Sequence, residues 1–177
     1  MMSRDFDLSL FKMGYILAYR GDSSWFSKQI IKVQERLGFP FVASRITHVE
    51  VSGGEEYSVN IVVPISRCIK ITERHAGRYV HVMRYKNEEY ERKGRYKVAY
   101  FSATLSNLRY DVLGVVRFLV RWVRQSNKLW FCSEGVAWAL QKEYPESLGG
   151  TKPVNCLPAN FLDEKEFEEV WQGRIPG

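Results

Sequence analysis

The chain lacks a CxxC pair, a glycine-rich phosphate loop, a low-complexity tract and an apolar run long enough to cross a membrane. Each absence excludes a class of protein. The three cysteines, Cys68, Cys132 and Cys156, are an odd and scattered set that fits neither a disulfide framework nor a thiolate zinc site. They indicate a reducing compartment, so a cytoplasmic location is expected. The three histidines, His48, His75 and His81, are equally dispersed, and no metal or other cofactor is expected. The longest apolar run, residues 112–120, is broken by Gly114 and Arg117, short of the roughly 18 residues that a span needs. The first twelve residues carry Arg4, Asp5, Asp7 and Lys12 and have no export-signal core, so neither a signal nor a transmembrane segment is expected.

What is present suits one core. The chain has 177 residues, 45% of them hydrophobic and 14% aromatic, enough for a single domain over 1–177 and too few for two of usual size. The net charge is +6, with positive clusters at 84–97 and at Arg117, Arg121, Arg124 and Lys128. Those four lie opposite Val112, Val115, Val116, Leu119 and Val123 on a helix expected over 111–125. No nucleic-acid motif accompanies them, so they read as a solvated face and no nucleic-acid partner is expected. The oligomeric state is not written in these patterns.

Residues 13–19 read as a strand entering the turn Arg20-Gly21-Asp22, and Ser23 or Ser24 caps a helix that ends at Gly38 and Pro40. Residues 46–52 and 57–63 alternate about Gly53-Gly54, a hairpin signal. His48, Glu50 and Ser52 share one face of the first strand, and Ser58 and Asn60 share one face of the second. A three-residue turn centred on Gly54 pairs Ser52 with Glu56, Glu50 with Ser58 and His48 with Asn60, which keeps both faces uniform. Further strands are expected at 68–72 and 79–85, helices at 88–108 and from Phe131-Cys132 to about Tyr144, a loop about Gly149 to Pro158, and a short helix at 163–171. The fold class is therefore α+β with a mostly antiparallel sheet.

Cys132 falls in the first turn of its helix, where unpaired amides and the helix dipole favour a thiolate. His48 projects from a strand whose same face carries Glu50, beside Asn60 on the next strand. A nucleophile at a helix start and a base on a rigid strand are the parts of thiol catalysis. His75, in a turn, and His81, in a strand, are the other candidates for the base. The bland readings are a buried structural cysteine and a hydrogen-bonded histidine in a non-catalytic binding module with a basic surface.

Four segments resemble the circularly permuted papain-like group of the NlpC/P60 superfamily. This is the branch of YaeF/YiiX-type amidases, more distantly similar to lecithin retinol acyltransferases. Residues 13–21, MGYILAYRG, resemble its opening strand; Thr47-His48-Val49-Glu50-Val51 its histidine strand; Tyr110-Asp111 a pair preceding a helix; and Phe131-Cys132-Ser133-Glu134-Gly135-Val136 its nucleophile helix. The order, histidine before cysteine, is that of the permuted branch. Tyr15 stands where the family commonly has an acidic residue, Gly135 where a larger apolar one is usual, and Asn60 where many members carry a glutamate. The resemblance implies a thiol hydrolase with Cys132 as nucleophile, His48 as base and Asn60 as third residue, or Glu50 in that place. The backbone amide of Cys132 would donate to the oxyanion. It implies as substrates amide bonds of peptides or peptidoglycan fragments, or alternatively acyl esters and lipids.

Overall fold

A computed structural model describes residues 6–61, 64–109 and 130–177. The helix expected over 111–125 and the Tyr110-Asp111 pair lie outside the described residues.

The first strand, β1 (Ile16–Arg20), leads into helix α1 (Trp25–Arg36). Ser24 caps α1, its hydroxyl accepting from the Ser27 amide, one of the sequence-predicted caps. A short helix α2 (Phe41–Ser44) follows, then β2 (Ile46–Gly54), β3 (Tyr57–Asn60) and β4 (Arg67–Lys70). The short helix α3 (Ile71–Arg74) ends at His75 and leads to β5 (Tyr79–Tyr85). A π-helical turn, Tyr90–Gly94, opens α4 (Arg95–Thr104), within the helical span expected there. Gly94 is required at this junction because a Cβ there would stand 1.8 Å from the Tyr144 hydroxyl. Helix α5 (Cys132–Gln141) begins at the cysteine, and the last strand is β6 (Phe167–Arg174).

The strands form one antiparallel sheet in the order β4-β3-β2-β1-β5-β6. β6 corrects the helix expected at 163–171. Phe167 and Trp171 stand at helical spacing, but Val82 pairs with Trp171 and Met83 with Glu169, so Val170 is an extra, bulged residue. A bulge interrupts the period of two that marks a strand, and the open edge of β5 supplies the hydrogen bonds a helix would have made internally.

The hairpin register also differs from expectation. Val51 faces Val59, Ser52 faces Ser58 and Gly54 faces Tyr57, with the irregularity between Ser52 and Gly54. The glycines are absorbed into β2, Gly54 at φ 111, and the turn is Glu55-Glu56. Carried one residue further, this register sets Asn60 opposite Glu50 rather than opposite His48. The bulge preserves the polar and apolar faces, which is why pattern alone could not separate the two registers.

Both faces of the sheet are covered. Ile16, Ala18, Val49 and Val51 point one way and Leu17, Tyr19, Val80 and Val82 the other, all fully buried. Phe6 and Phe11 pack with Trp171, and the Ser52 hydroxyl donates to the Phe11 carbonyl. Helices α4 and α5 pack against β2. Among the described residues no helix is long and apolar enough to cross a membrane.

Candidate active site

Glu50, on β2, is the centre of the site and is completely buried. A carboxylate in that position needs donors, and it has three. His48 Nε2 and His75 Nε2 both lie 2.8 Å from Glu50 Oε1, and the Ser58 hydroxyl donates to Oε2 at 2.5 Å. Burial alone would raise the Glu50 carboxyl, but the two imidazoles outweigh it and hold the group well below the usual carboxylate range. An ionised carboxylate only accepts, so each Nε2 carries the proton. This fixes His48 with Nε2–H toward Glu50 and leaves Nδ1 for the thiol.

Cys132 stands at the first position of α5, with Phe131 as N-cap in extended conformation. Its sulfur interacts with His48 by hydrogen bond and by charge and accepts from the backbone amides of Val49 and Ser133. The Val49 amide is free for this role because of strand geometry. Ser52 N–H bonds Tyr15 O on the β1 side, and amides alternate along a strand, so the amide of Val49 points to the β3 side. β3 ends at Asn60, and the sulfur takes the place a further strand residue would have filled. The cysteine is thus held at the edge of β2, level with its histidine.

The electrostatics favour an ion pair. Burial disfavours the Cys132 thiolate, but the His48 imidazolium and the two amides overcome it, so the thiol is held below its ordinary value of 9.0. Burial likewise depresses the His48 imidazolium, yet Cys132 and Glu50 raise it from 6.5 to about 10. Cys132 is 4% exposed and the His48 side chain 13%, so the reacting atoms are largely screened from solvent. Cys156 is different, its thiol pushed up to about 12 by burial and by Glu134 and Glu166. Cys68 is exposed.

The structure brings Cys132, His48 and Glu50 together and gives Asn60 another position. The Asn60 Oδ1 is buried and has no hydrogen-bond partner among the described residues, so it does not accept from the imidazole of His48. The side chain that meets the His48 imidazole is that of Glu50, the expected alternative. Its place two residues from His48 on one strand face allows a 2.8 Å contact that the register denies to Asn60. His75 was legible only as a histidine in a turn; it reaches Glu50 because α3 folds over the polar face of β2. Its ring stacks on Tyr19 at 4.1 Å, and the Arg78 guanidinium lies over the other ring system at 5.4 Å from the Tyr19 centroid. His81 is elsewhere, paired with Glu169.

Among the described residues no group of three or more His, Cys, Asp or Glu side chains is arranged to hold a metal ion. Comparison with family models, with curated proteins and with solved structures finds no match to this chain.

Proposed function

We propose that this chain is a cysteine hydrolase with the circularly permuted papain-like fold of the NlpC/P60 superfamily, cleaving amide bonds in peptides or peptidoglycan fragments. The observation that carries the reading is the relay from Glu50 through His48 to Cys132 at a helix start, with the thiol lowered and the imidazole raised. The order of histidine strand before cysteine helix, on an antiparallel sheet, supports the permuted form.

In this mechanism the Cys132 thiolate attacks the amide carbonyl carbon, forming an S–C bond. The backbone amide of Cys132, at the first helical position where no intrahelical partner exists, donates to the oxyanion. The C–N bond then breaks as the His48 imidazolium gives its proton to the leaving amine. Water, losing a proton to His48, attacks the acyl carbon and releases the acid, and the thiolate and imidazolium are restored. Glu50 orients the ring and stabilises its charge throughout.

The test pairs turnover with trapping. Peptide and muramyl-peptide amides incubated with the protein should release amine, with an acyl group found on Cys132 by mass spectrometry after acid quench. Cys132→Ala should abolish release while leaving the circular dichroism unchanged. Full turnover by that variant, or alkylation of wild-type Cys132 with an ordinary thiol midpoint near 9.0, would overturn the proposal.

A further inference from the structure

On the sheet face opposite His48 lies a second polar construction that this chemistry does not use. Ala18 pairs with His81 while Tyr19 pairs with His48, and neighbouring side chains on a strand point to opposite faces. His81 is 1% exposed. Its Nδ1 lies 2.5 Å from Glu169 Oε1, and its Nε2 accepts from Arg20 Nε at 3.3 Å. The carboxylate can only accept, so the imidazole is held with Nδ1–H toward Glu169 and its Nε2 lone pair toward Arg20. The Arg20 guanidinium is clamped a second time, its Cζ 4.0 Å from the centroid of Tyr79.

This fixes the guanidinium through Nε and one face and leaves its two Nη groups without a carboxylate partner among the described residues. Arg20 lines a cleft of about 740 Å³, together with Lys165, which likewise forms no ion pair among the described residues. The volume is in the range of cavities that hold small ligands, about 300–1,000 Å³. The lining also includes apolar Phe39, Val42, Met83 and Leu162, and Phe41, next to Val42 in sequence, stands 71% exposed. The lining also carries three acidic residues, Asp163, Glu164 and Glu169, so an anion would be held by direct hydrogen bonds to the Arg20 fork and not by the net charge of the cleft. Glu169 is engaged by His81, Asp163 accepts the Lys165 backbone amide, and Glu164 is exposed to solvent.

We propose that this cleft is a second binding site, for an amphipathic anion. A carboxylate or phosphate group would sit on the Arg20 Nη atoms with Lys165 beside it, and a short apolar body would lie along Phe39, Val42 and Leu162. A pre-positioned guanidinium fork binds planar anions in two hydrogen bonds and loses little entropy on doing so. His81 and Glu169 are positioning residues for Arg20.

Octanoate, octyl phosphate, acetate and octanol are the probes, titrated calorimetrically into the full chain. Octanoate or octyl phosphate should bind saturably, and acetate and octanol at least about tenfold more weakly, because each lacks one half of the recognised chemistry. Preference between the two anions tells carboxylate from phosphate. Arg20→Gln should weaken binding at least about tenfold while leaving the alkylation rate of Cys132 unchanged. Lys165→Glu, on an exposed side chain that the fold does not need, should weaken it as well. Cys132→Ala should bind like wild type, which separates this site from the proposed active site. Equal affinity in wild type and both charge variants, or no saturable binding of either anion, would overturn the inference.

Discussion

Replacing Glu50 by Gln keeps the shape of the side chain and an acceptor for the imidazole N–H while removing the charge. The Oε1 atom stands 2.8 Å from His48 Nε2, so the charge centres are about 4 Å apart. At an effective dielectric of about 20 such a pair is worth about 4 kcal/mol. A neutral hydrogen bond to the glutamine carbonyl recovers about 1 kcal/mol. The remaining loss of about 3 kcal/mol lowers the His48 imidazolium by about 2 pKa units. The thiolate itself is stabilised by that imidazolium, so the ratio of ion pairs to neutral pairs among singly protonated sites falls by about 100-fold. The assay is the rate of Cys132 alkylation by iodoacetamide against pH in a Cys68→Ser background, since Cys68 is exposed and Cys156 stays a thiol up to about 12. Wild type should show a reactive plateau below 9.0. Glu50→Gln should lose most of that plateau and react as an ordinary thiol in the alkaline range, with kcat/KM down on the order of 100-fold. An unchanged alkylation rate at pH 6 would refute the assignment of Glu50 and, with it, the relay.

Asn60→Ala should lower kcat/KM by less than about tenfold, because the amide makes no bond to His48; a loss matching that of Glu50→Gln in steady-state kinetics would restore Asn60 as the third residue. Gly135→Ala should destabilise the chain by about 1–2 kcal/mol in urea unfolding. The new Cβ would stand 2.1 Å from Ile61 Cδ1 and 3.1 Å from Leu105 Cδ1, which outweighs the gain in helix propensity. Adding Ile61→Val, which removes that Cδ1, should recover part of the loss. Stability should be flat between pH 6.5 and 9.0 as far as the dyad is concerned, since an imidazolium–thiolate pair and the unfolded chain's imidazole and thiol both hold one proton. Below 6.5 the unfolded histidine gains a proton that the folded pair resists, and below 4.5 unfolded Glu50 does the same, so stability should fall on acidification. Above 9.0 the unfolded thiol ionises while folded His48 keeps its proton to about 10, so stability should fall again. Monotonic behaviour in pH-dependent thermal melts of wild type, absent in a Cys132→Ala/His48→Ala comparison, would contradict the ion pair.

The parts of this fold fixed by local chemistry were readable in the residues. Ser24 as cap, the alternation of β2 and β5, and the helix opening at Cys132 each follow from a pattern within about ten residues. What escaped depended on a bulge or on a distant element. Gly53-Gly54 looked like a turn because glycines usually mark one, but Gly54 at φ 111 continues β2 beyond a bulge. Trp171 looked helical because a bulged Val170 imitates helical spacing. His75 gave no signal because its carboxylate partner is 25 residues away, joined only when α3 closes over the sheet.

The polar face of β2 is buried, which its sequence does not announce. An alternating strand with His48, Glu50 and Ser52 on one face suggests a solvated side, yet Glu50, Ser52, Ser58 and Asn60 are all at most 1% exposed. Burying an ionised carboxylate is costly unless its oxygens are saturated, and Glu50 meets that condition with three donors from three different elements. Removing any one donor leaves the charge under-satisfied, so the cost of burial enforces one arrangement of β2, β3 and α3. A carboxylate exposed to water would let His48 rotate and would screen its charge by a dielectric near 80. The burial that makes the strand face unreadable as a polar surface is therefore the same burial that holds the imidazole in one tautomer, aimed at the sulfur of Cys132.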